Sequence, residues 1–392
     1  MEKLIYGGDG LARLDGRVVF APYVLPGERL RAQAESEKPG LVRARALEVL
    51  DAAPERVAPP CPYFGHCGGC HYQHAAYEYQ LAVKRTILVE ELRRLGKIEP
   101  PETLPVVSAE PWGYRNRVQL HVEKGRLGYW ESRSHKLCGI DRCPIASPRL
   151  NEAMAALCGM LHDPRWPRFI RSLELFTDER QVQLNVLETE RPIARRFFDW
   201  CAESIAGLVP GALDYQDRFR VSRNSFFQVN RHLTDRLVET AVGSAEGETA
   251  LDLYAGVGLF ALALGPKFHE VTAVESGSAA VRDLQFNAAR AGHANIRAQQ
   301  NQVEEYLAAV EQAPQFVLAD PPRAGLGKAV VERLNALGPR EIVIVSCDPA
   351  TLARDLPGLL AAGYRLEEMT LVDLFPQTFH VETVVRLIRS AG

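Results

Sequence analysis

The sequence has little net charge and no long apolar run. Among its 392 residues, 46 Lys and Arg nearly balance 49 Asp and Glu, which leaves a net charge of -3 at pH 7. This balance argues against a protein that holds nucleic acid through its overall charge. No segment approaches the ~18 consecutive apolar residues of a membrane helix, and the first residues lack the apolar stretch of a secretory signal. We therefore expect a cytoplasmic protein that does not bind membranes, and no motif indicates an obligate protein partner.

Two phosphate-binding patterns are also missing. The absence of Gly-x-x-x-x-Gly-Lys-Ser/Thr argues against NTP hydrolysis, and the turn in Leu251-Asp-Leu-Tyr-Ala-Gly-Val-Gly has Gly256 and Gly258 but no third glycine for pyrophosphate. Glu275 ends the next strand-like run, where a carboxylate can accept hydrogen bonds from both ribose hydroxyls, and Asp320 ends a third. These acids and glycines at successive strand ends resemble the S-adenosylmethionine site of Rossmann-like methyltransferases more than a dinucleotide site.

The chain divides into three predicted parts. From Thr249 onward, apolar strand-like runs alternate with helical stretches, which is typical of a mostly parallel α/β sheet with helices on both faces. We predict a small OB-like β-barrel over 1–57, a central α+β domain over 58–220 and a Rossmann-like catalytic domain over 221–392. The helical stretch 75–96 is expected to pack on the catalytic domain.

Cys347 stands where the apolar run Glu341-Ile-Val-Ile-Val-Ser ends, a position typical of reactive residues in open α/β enzymes. An inert core cysteine is the alternative. Carbon 5 of a pyrimidine becomes nucleophilic only after a thiolate has added at carbon 6, and a base must then remove the carbon 5 proton. Glu382 is the candidate base, although it could be an ordinary strand-end carboxylate, and His380 is a rival.

Positive charge is concentrated in the stretch from Trp112 to Arg149, although the charge of the whole chain is nearly balanced. This stretch contains eight Lys or Arg against three acids, with four Trp and Tyr residues among them. Basic residues interleaved with aromatic ones can meet phosphates and stack on bases, although a solvated face of an antiparallel sheet would look the same. We take Arg115, Arg117 and Arg133 as candidate RNA contacts. Phe226 is a candidate stacking partner for a base, with a core position as the alternative.

Eight cysteines in a reducing compartment indicate metal binding or catalysis more than disulfides. Cys61, Cys67 and Cys70 are close enough in sequence to share a metal, and a closed site needs a fourth thiolate from Cys138 or Cys143. Four thiolates suit an iron-sulfur cluster or zinc, and spacing alone does not separate the two. The remaining Cys158 and Cys201 fall in helical patterns and are predicted core residues.

Taken together, these blocks resemble the bacterial RNA uracil-C5 methyltransferases, most closely the iron-sulfur-containing 23S rRNA branch of the RumA type. The blocks that carry the resemblance are Phe226-Phe-Gln-Val-Asn, Leu251-Asp-Leu-Tyr-Ala-Gly-Val-Gly, Asp320-Pro-Pro-Arg-Ala-Gly, Ser346-Cys-Asp-Pro-Ala-Thr-Leu-Ala-Arg-Asp and His380-Val-Glu-Thr-Val. The resemblance implies that Cys347 is the nucleophile, that Glu382 is the base and that Asp320 lies close to the uracil. It also implies contacts to S-adenosylmethionine from Gln228, Tyr254, Glu275, Gln302 and Asp320. Leu259 and Gln302 depart from the residues usual in the family, which puts individual contacts in doubt.

The same resemblance extends to the other two parts of the chain. It implies that Cys143, followed by Pro144, completes a [4Fe-4S] site with Cys61, Cys67 and Cys70, with zinc as the second choice. The N-terminal segment resembles a TRAM domain, a small RNA-binding barrel. Cluster and barrel together favour a uridine of 23S rRNA as the target, with the tRNA T-loop as the alternative. A noncatalytic RNA-binding iron-sulfur protein is a third hypothesis, against which the intact Cys347, Asp320 and Glu382 argue.

Overall fold

Four β-sheets organise the chain in the computed structural model, which describes residues 1–390. The predicted catalytic domain therefore ends two residues beyond the described part. Within that part, no helix combines the length and the hydropathy that a membrane span requires.

The first sheet holds five strands in the order β1-β2-β3-β5-β4. They are β1 (Lys3–Leu4), β2 (Asp9–Leu14), β3 (Arg17–Pro22), β4 (Arg29–Lys38) and β5 (Leu41–Asp51). The sheet closes only at one end, where Met1 exchanges backbone hydrogen bonds with Gly27 and Glu28. The closed barrel predicted for 1–57 is therefore not confirmed. β4 is exposed along nearly its whole length, so the hairpin that it forms with β5 has too little apolar surface to wrap around a core.

The central sheet has six strands in the order β12-β11-β10-β7-β8-β9 and is covered by two helices. Its elements are β7 (Arg117–Glu123), β8 (Arg126–Trp130), β9 (Leu137–Gly139), α2 (Pro148–Met160), β10 (Ile170–Thr177), β11 (Val182–Thr189), α3 (Arg195–Ser204) and β12 (Leu208–Val209). The predicted core cysteines Cys158 and Cys201 lie on α2 and α3 and pack into the apolar core of this layer. A short hairpin of β13 (Leu213–Tyr215) and β14 (Phe219–Val221) follows as a sheet of its own.

The largest sheet has eight strands in the order β17-β16-β15-β18-β19-β21-β20-β6. Its elements are α1 (Tyr77–Glu91), β6 (Val106–Val107), α4 (Thr234–Val242), β15 (Gly247–Leu253), α5 (Leu259–Leu264), β16 (Phe268–Glu275), α6 (Ser278–Arg290), β17 (Ile296–Gln300), α7 (Val303–Ala309), β18 (Phe316–Ala319), α8 (Gly327–Leu337), β19 (Glu341–Ser346), α9 (Pro349–Ala361), β20 (Tyr364–Val372) and β21 (Glu382–Arg389). The first five strands are parallel, whereas β21 runs antiparallel between β19 and β20. Apolar layers cover both faces, as the predicted α/β class requires.

β21 is placed so that its first residue, Glu382, lies beside the end of β19. Ser346 pairs with Thr383 across the antiparallel ladder, which brings the two strand ends together. A chain segment 35 residues after Cys347 thus returns next to it, and this return is the topological feature that creates the site.

Helix α1 and the π-helical turn Leu92–Gly96 that follows it pack against α9 of the catalytic domain. α1 also fixes the segment that leads into β21. The ammonium of Lys84, fully buried, lies 2.5 Å from Oδ1 of Asp373 and donates to the carbonyl oxygen of Phe375, while the hydroxyl of Tyr77 donates to Oδ2 of Asp373. Gln80 and Gln377 exchange two further hydrogen bonds. A buried charge is tolerated only when it is paired, so this contact is strongly specified.

Candidate active site

A cavity of about 580 Å³ opens at the carboxyl ends of β15, β16, β18 and β19. In open α/β sheets this edge is where ligands bind. Most of the residues singled out by the sequence meet here, although they are spread over more than 260 positions: Arg115, Phe226, Gln228, Tyr254, Glu275, Gln302, Asp320, Cys347 and Glu382. The lining also includes Arg323 and His380.

Cys347 is half-buried at the wall of this cavity. Burial raises the pKa of its thiol to about 12, the carboxylates of Glu382 and Asp320 add to the rise, and the guanidinium of Arg323 opposes it. The thiol is therefore protonated at neutral pH in the ligand-free protein. A nucleophilic thiolate forms only when positive charge is added beside it or when a neighbouring group takes its proton.

Two carboxyls line the cavity together with this thiol, of which Glu382 is buried and Asp320 is half-buried. Glu382 is 4% exposed, and burial together with Asp320 raises the pKa of Glu382 well above its usual range. Burial also raises the pKa of Asp320 to about 7, opposed by a hydrogen bond of 3.2 Å from Nε2 of Gln228 to its Oδ2. Carboxyls with raised pKa values are typical of groups that take up or release protons near neutral pH.

His380 lines the same cavity and was the rival base. Burial, followed by Arg323, lowers the pKa of His380 to about 3, and Nη2 of Arg323 lies 3.5 Å from its Nε2. A neutral imidazole with so low a pKa is a weak proton acceptor. These surroundings favour Glu382 as the base.

Glu275 shapes the opposite end of the cavity. Its Oε2 accepts a hydrogen bond from the backbone N–H of Gly256 at 3.0 Å, and its Oε1 accepts one from Gly277 at 2.6 Å. Gly256 has a φ of +54° and Gly258 a φ of +96°, conformations that side chains other than glycine rarely adopt. The glycine turn thus orients Glu275 through the backbone, while the carboxylate faces the cavity. Leu259, which follows the turn, is buried in the apolar core.

Phe226 is an aromatic side chain that is 61% exposed at this cavity. Its neighbour Phe227 is buried at 2% and fills the core, so the two adjacent rings point in different directions. The predicted alternative of a core position for Phe226 is therefore excluded by its exposure. An exposed ring beside a polar pocket offers a stacking surface for a base.

The three candidate arginines are not equivalent. Arg115 lines the cavity, but Arg117 does not: its guanidinium lies 4.3 Å from the centre of the Phe176 ring and donates to the carbonyl oxygen of Ser225. Arg133 lies in a separate cavity of about 470 Å³, where its guanidinium pairs with Asp9. The proposed RNA contact of Arg117 is thus replaced by a buried structural contact.

The sequence analysis missed two groups near the site. Arg323, in the Asp320-Pro-Pro-Arg block, is a cation close to the thiol, and its place in that block was the available signal. Asp252, in the glycine block, is fully buried behind the pocket, and burial with Asp320 raises its pKa well above the usual range. Nothing in the pattern of its apolar strand distinguished it from a surface carboxylate.

Four cysteines line one small cavity of about 160 Å³ beside Arg115 and Tyr129. They are Cys61, Cys67, Cys70 and Cys143, whereas Cys138 belongs to the core of the central sheet. Within residues 1–390, however, no group of three or more Cys, His, Asp or Glu side chains stands in position to hold a metal ion. The four thiols thus share a cavity without an established metal.

One protein family matches the C-terminal half of the chain. The tRNA (Uracil-5-)-methyltransferase family matches residues 209–390. The 23S rRNA (uracil(1939)-C(5))-methyltransferase RlmD of Alkalilimnicola ehrlichii is 34% identical over 99% of this chain and 95% of its own. An uncharacterized RNA methyltransferase of Aquifex aeolicus is 31% identical over 99% of this chain and 97% of its own.

A solved structure is similar over the same length. It is the Pyrococcus abyssi tRNA (uracil-54, C5)-methyltransferase in complex with S-adenosyl-L-homocysteine, which is 27% identical, has a TM-score of 0.76 and matches over 99% of both chains. The fold, and the acidic cavity at the strand ends, are those of an S-adenosylmethionine-dependent methyltransferase. More specifically, the chain belongs to the family of RNA uracil-5-methyltransferases, which confirms the resemblance stated from its motifs.

Proposed function

We propose that this enzyme methylates carbon 5 of a uridine in 23S rRNA through a covalent intermediate on Cys347. The observation that carries the proposal is that Cys347, Asp320 and Glu382 line one cavity together with the exposed ring of Phe226. The cavity of about 580 Å³ is large enough to enclose a small ligand and an unstacked base side by side. Stacking on Phe226 would hold the base out of the RNA helix.

The lining fits S-adenosylmethionine, which supplies the methyl group and a positive charge when bound. Asp320 and Glu382 both have raised pKa values, and a cation beside them stabilises their ionised forms. We propose that S-adenosylmethionine is also held by Gln228, Tyr254, Glu275 and Gln302. Gly256 and Gly258 would let the protein backbone of the turn approach it closely.

Each reacting side chain has one proposed role. Cys347 adds as a thiolate to carbon 6 of the uracil, which makes carbon 5 a nucleophile toward the methyl group. Carbon 5 bonds to the methyl carbon while the bond from that carbon to the donor's sulfur breaks. Glu382 then removes the proton from carbon 5, the double bond re-forms and the thiolate of Cys347 leaves. Asp320, held by Gln228, orients the uracil and stays close to Glu382.

The flanking RNA has a candidate path beside this site. The cavity of about 470 Å³ is lined by Tyr23 of the N-terminal sheet, Trp130 and Arg133 of the central domain, and Phe379 of the catalytic domain. The ring of Phe379 lies only 4.3 Å from that of His380, which lines the active site. Because aromatic rings and a guanidinium suit single-stranded RNA, we propose that strands leaving the active site cross this surface.

The target is the first property to test. In cells that lack the gene, we expect one 5-methyluridine to disappear from 23S rRNA while the T-loop of tRNA stays modified, as measured by mass spectrometry of RNase fragments. The enzyme from Pyrococcus abyssi, named for a tRNA target, matches over 99% of the chain. The presence of an N-terminal sheet therefore does not by itself decide between rRNA and tRNA. Loss of the T-loop methyl group instead would establish the tRNA alternative.

We further propose that Cys61, Cys67, Cys70 and Cys143 hold a [4Fe-4S] cluster, with zinc as the second candidate. Burial raises the pKa of Cys67 to about 12, so thiolates in this small cavity need a cation to be stable. The methyl transfer itself involves no change of redox state, which favours a structural role or a role in RNA binding. We also propose that the N-terminal, central and catalytic parts predicted from the sequence act as three functional units, with α1 serving the catalytic one.

The cluster proposal predicts a spectroscopic result. Protein purified without oxygen should absorb at about 400 nm and contain iron and sulfide. Cys70→Ser should lose the absorbance and the bound iron and sulfide, because one of the four ligands is missing. Cys158→Ser, a change in helix α2 outside the cavity, is the matched control and should keep both. Bound zinc without visible absorbance would show that the site holds zinc and not an iron-sulfur cluster.

A further inference from the structure

Tyr6 lies in the turn between β1 and β2 of the N-terminal sheet and reaches the loop that carries Cys347. Its hydroxyl donates a hydrogen bond of 3.0 Å to Oδ2 of Asp348, a residue 342 positions later. The other oxygen of Asp348, Oδ1, accepts from the backbone N–H groups of Ala350 and Thr351 and so caps α9. The carboxylate next to the nucleophile is therefore fixed from two sides, one of them in a different sheet.

The ring of Tyr6 also contacts the segment that carries Glu382. It meets the Phe379 ring edge-on, with centroids 5.5 Å apart, and Phe379 in turn packs against His380. The turn packs closely against His71 and Phe379 at Gly8, where φ is +91° and an added Cβ would lie 3.2 Å from His71 and 3.3 Å from Phe379. One short segment of the N-terminal sheet thus touches both the nucleophile loop and the base segment.

We propose that Tyr6 is a positioning residue for the methyl transfer, which holds Asp348 through its hydroxyl and supports Phe379 through its ring. This inference rests on the roles proposed above for Cys347 and Glu382. It gives the N-terminal sheet a part in assembling the reacting groups, in addition to any contact with RNA.

The charges around Cys347 indicate the direction of the effect. Glu382 of β21, Asp320 after β18 and Asp348 at the start of α9 each disfavour the thiolate, whereas Arg323 favours it. The neutral imidazole of His380 adds no charge. A hydrogen bond from the hydroxyl of Tyr6 offsets part of the negative charge that Asp348 directs at the thiol. Loss of that hydroxyl should make Cys347 harder to ionise.

The test uses the full-length protein and needs no RNA. In Tyr6→Phe, alkylation of Cys347 by iodoacetamide, followed by mass spectrometry of its peptide, should be about threefold slower at a given pH, equivalent to an upward displacement of about half a pH unit. With RNA, kcat should fall by a similar factor while RNA affinity stays unchanged. Tyr79→Phe is the matched control, because Tyr79 packs against the same apolar cluster from α1, and it should behave as wild type.

A second variant tests whether Tyr6 acts through the charge of Asp348 or only by keeping the Cys347 loop in place. Asp348→Asn keeps an oxygen to cap α9 but removes the charge, so alkylation should become faster, and in that background Tyr6→Phe should have little further effect. The inference is overturned if Tyr6→Phe and Tyr79→Phe alkylate alike, or if the Tyr6 effect is as large in the Asp348→Asn background. The alkylation outcomes can be told apart from a failure of the proposed function, which would appear as methylation that does not require Cys347.

Discussion

Replacing Cys347 by alanine should lower 5-methyluridine formation on the order of 10⁴-fold or more, because carbon 5 of uracil does not become nucleophilic without addition at carbon 6. Methyl transfer to RNA is measured by mass spectrometry of the digested product. Binding of S-adenosylmethionine, measured by calorimetry, should be unchanged, since the side chains proposed to contact it are intact.

The matched control for this change is Cys158→Ala, which removes a thiol in the central domain far from the proposed chemistry. It should retain normal turnover. Methylation by Cys347→Ala at a rate near that of the control would show that another group attacks the base, and the covalent mechanism would then be wrong.

Glu382→Gln should stop the reaction one step later and leave the RNA covalently attached to the protein. The amide is nearly the same size as the carboxyl but cannot take the proton from carbon 5, so turnover should fall by about 10²- to 10⁴-fold. The adduct should survive denaturing electrophoresis as a band of protein joined to RNA.

Two variants control this experiment. The double variant Cys347→Ala with Glu382→Gln should form no adduct, because the attacking thiol is absent. His380→Gln should not accumulate an adduct, because burial lowers the pKa of His380 to about 3 and makes it a poor base. Adduct accumulation in His380→Gln, with normal turnover in Glu382→Gln, would exchange the roles of the two residues.

The helices and the parallel strands of the catalytic domain follow closely from the sequence pattern. Two of the helical stretches that alternate with strand-like runs after Thr249 are predicted over 278–291 and 327–337, and they form α6 (Ser278–Arg290) and α8 (Gly327–Leu337). Strands buried on both faces appear as continuous apolar runs, which is why β18 and β19 could be found.

Strands at the margins of the sheet could not be found in this way. β17 (Ile296–Gln300) is mostly exposed and polar, and β6 has only two residues, held by backbone pairing with β20. β20 mixes buried and exposed residues without regular alternation and contains two adjacent glutamates. Their places are set by tertiary contacts, which periodicity along the chain does not report.

The candidate site was predictable to a similar degree. Motif spacing placed Cys347, Glu382 and the glycine turn at strand ends, and parallel topology then brings such ends together. Sequence did not distinguish Arg115, which lines the cavity, from Arg117, which packs on Phe176, because both lie in one basic stretch. The contact between Tyr6 and Asp348 spans almost the whole chain and had no signal in either local sequence.

The buried pair of Lys84 and Asp373 has a consequence for the order of events during synthesis. The two residues are 289 positions apart, and the ammonium is completely enclosed once they meet. On a ribosome, α1 emerges long before its counter-ion, and a lone buried charge would be costly. Helix α1 therefore reaches its final packing only after the chain has been made as far as Asp373, near the end of the catalytic sheet.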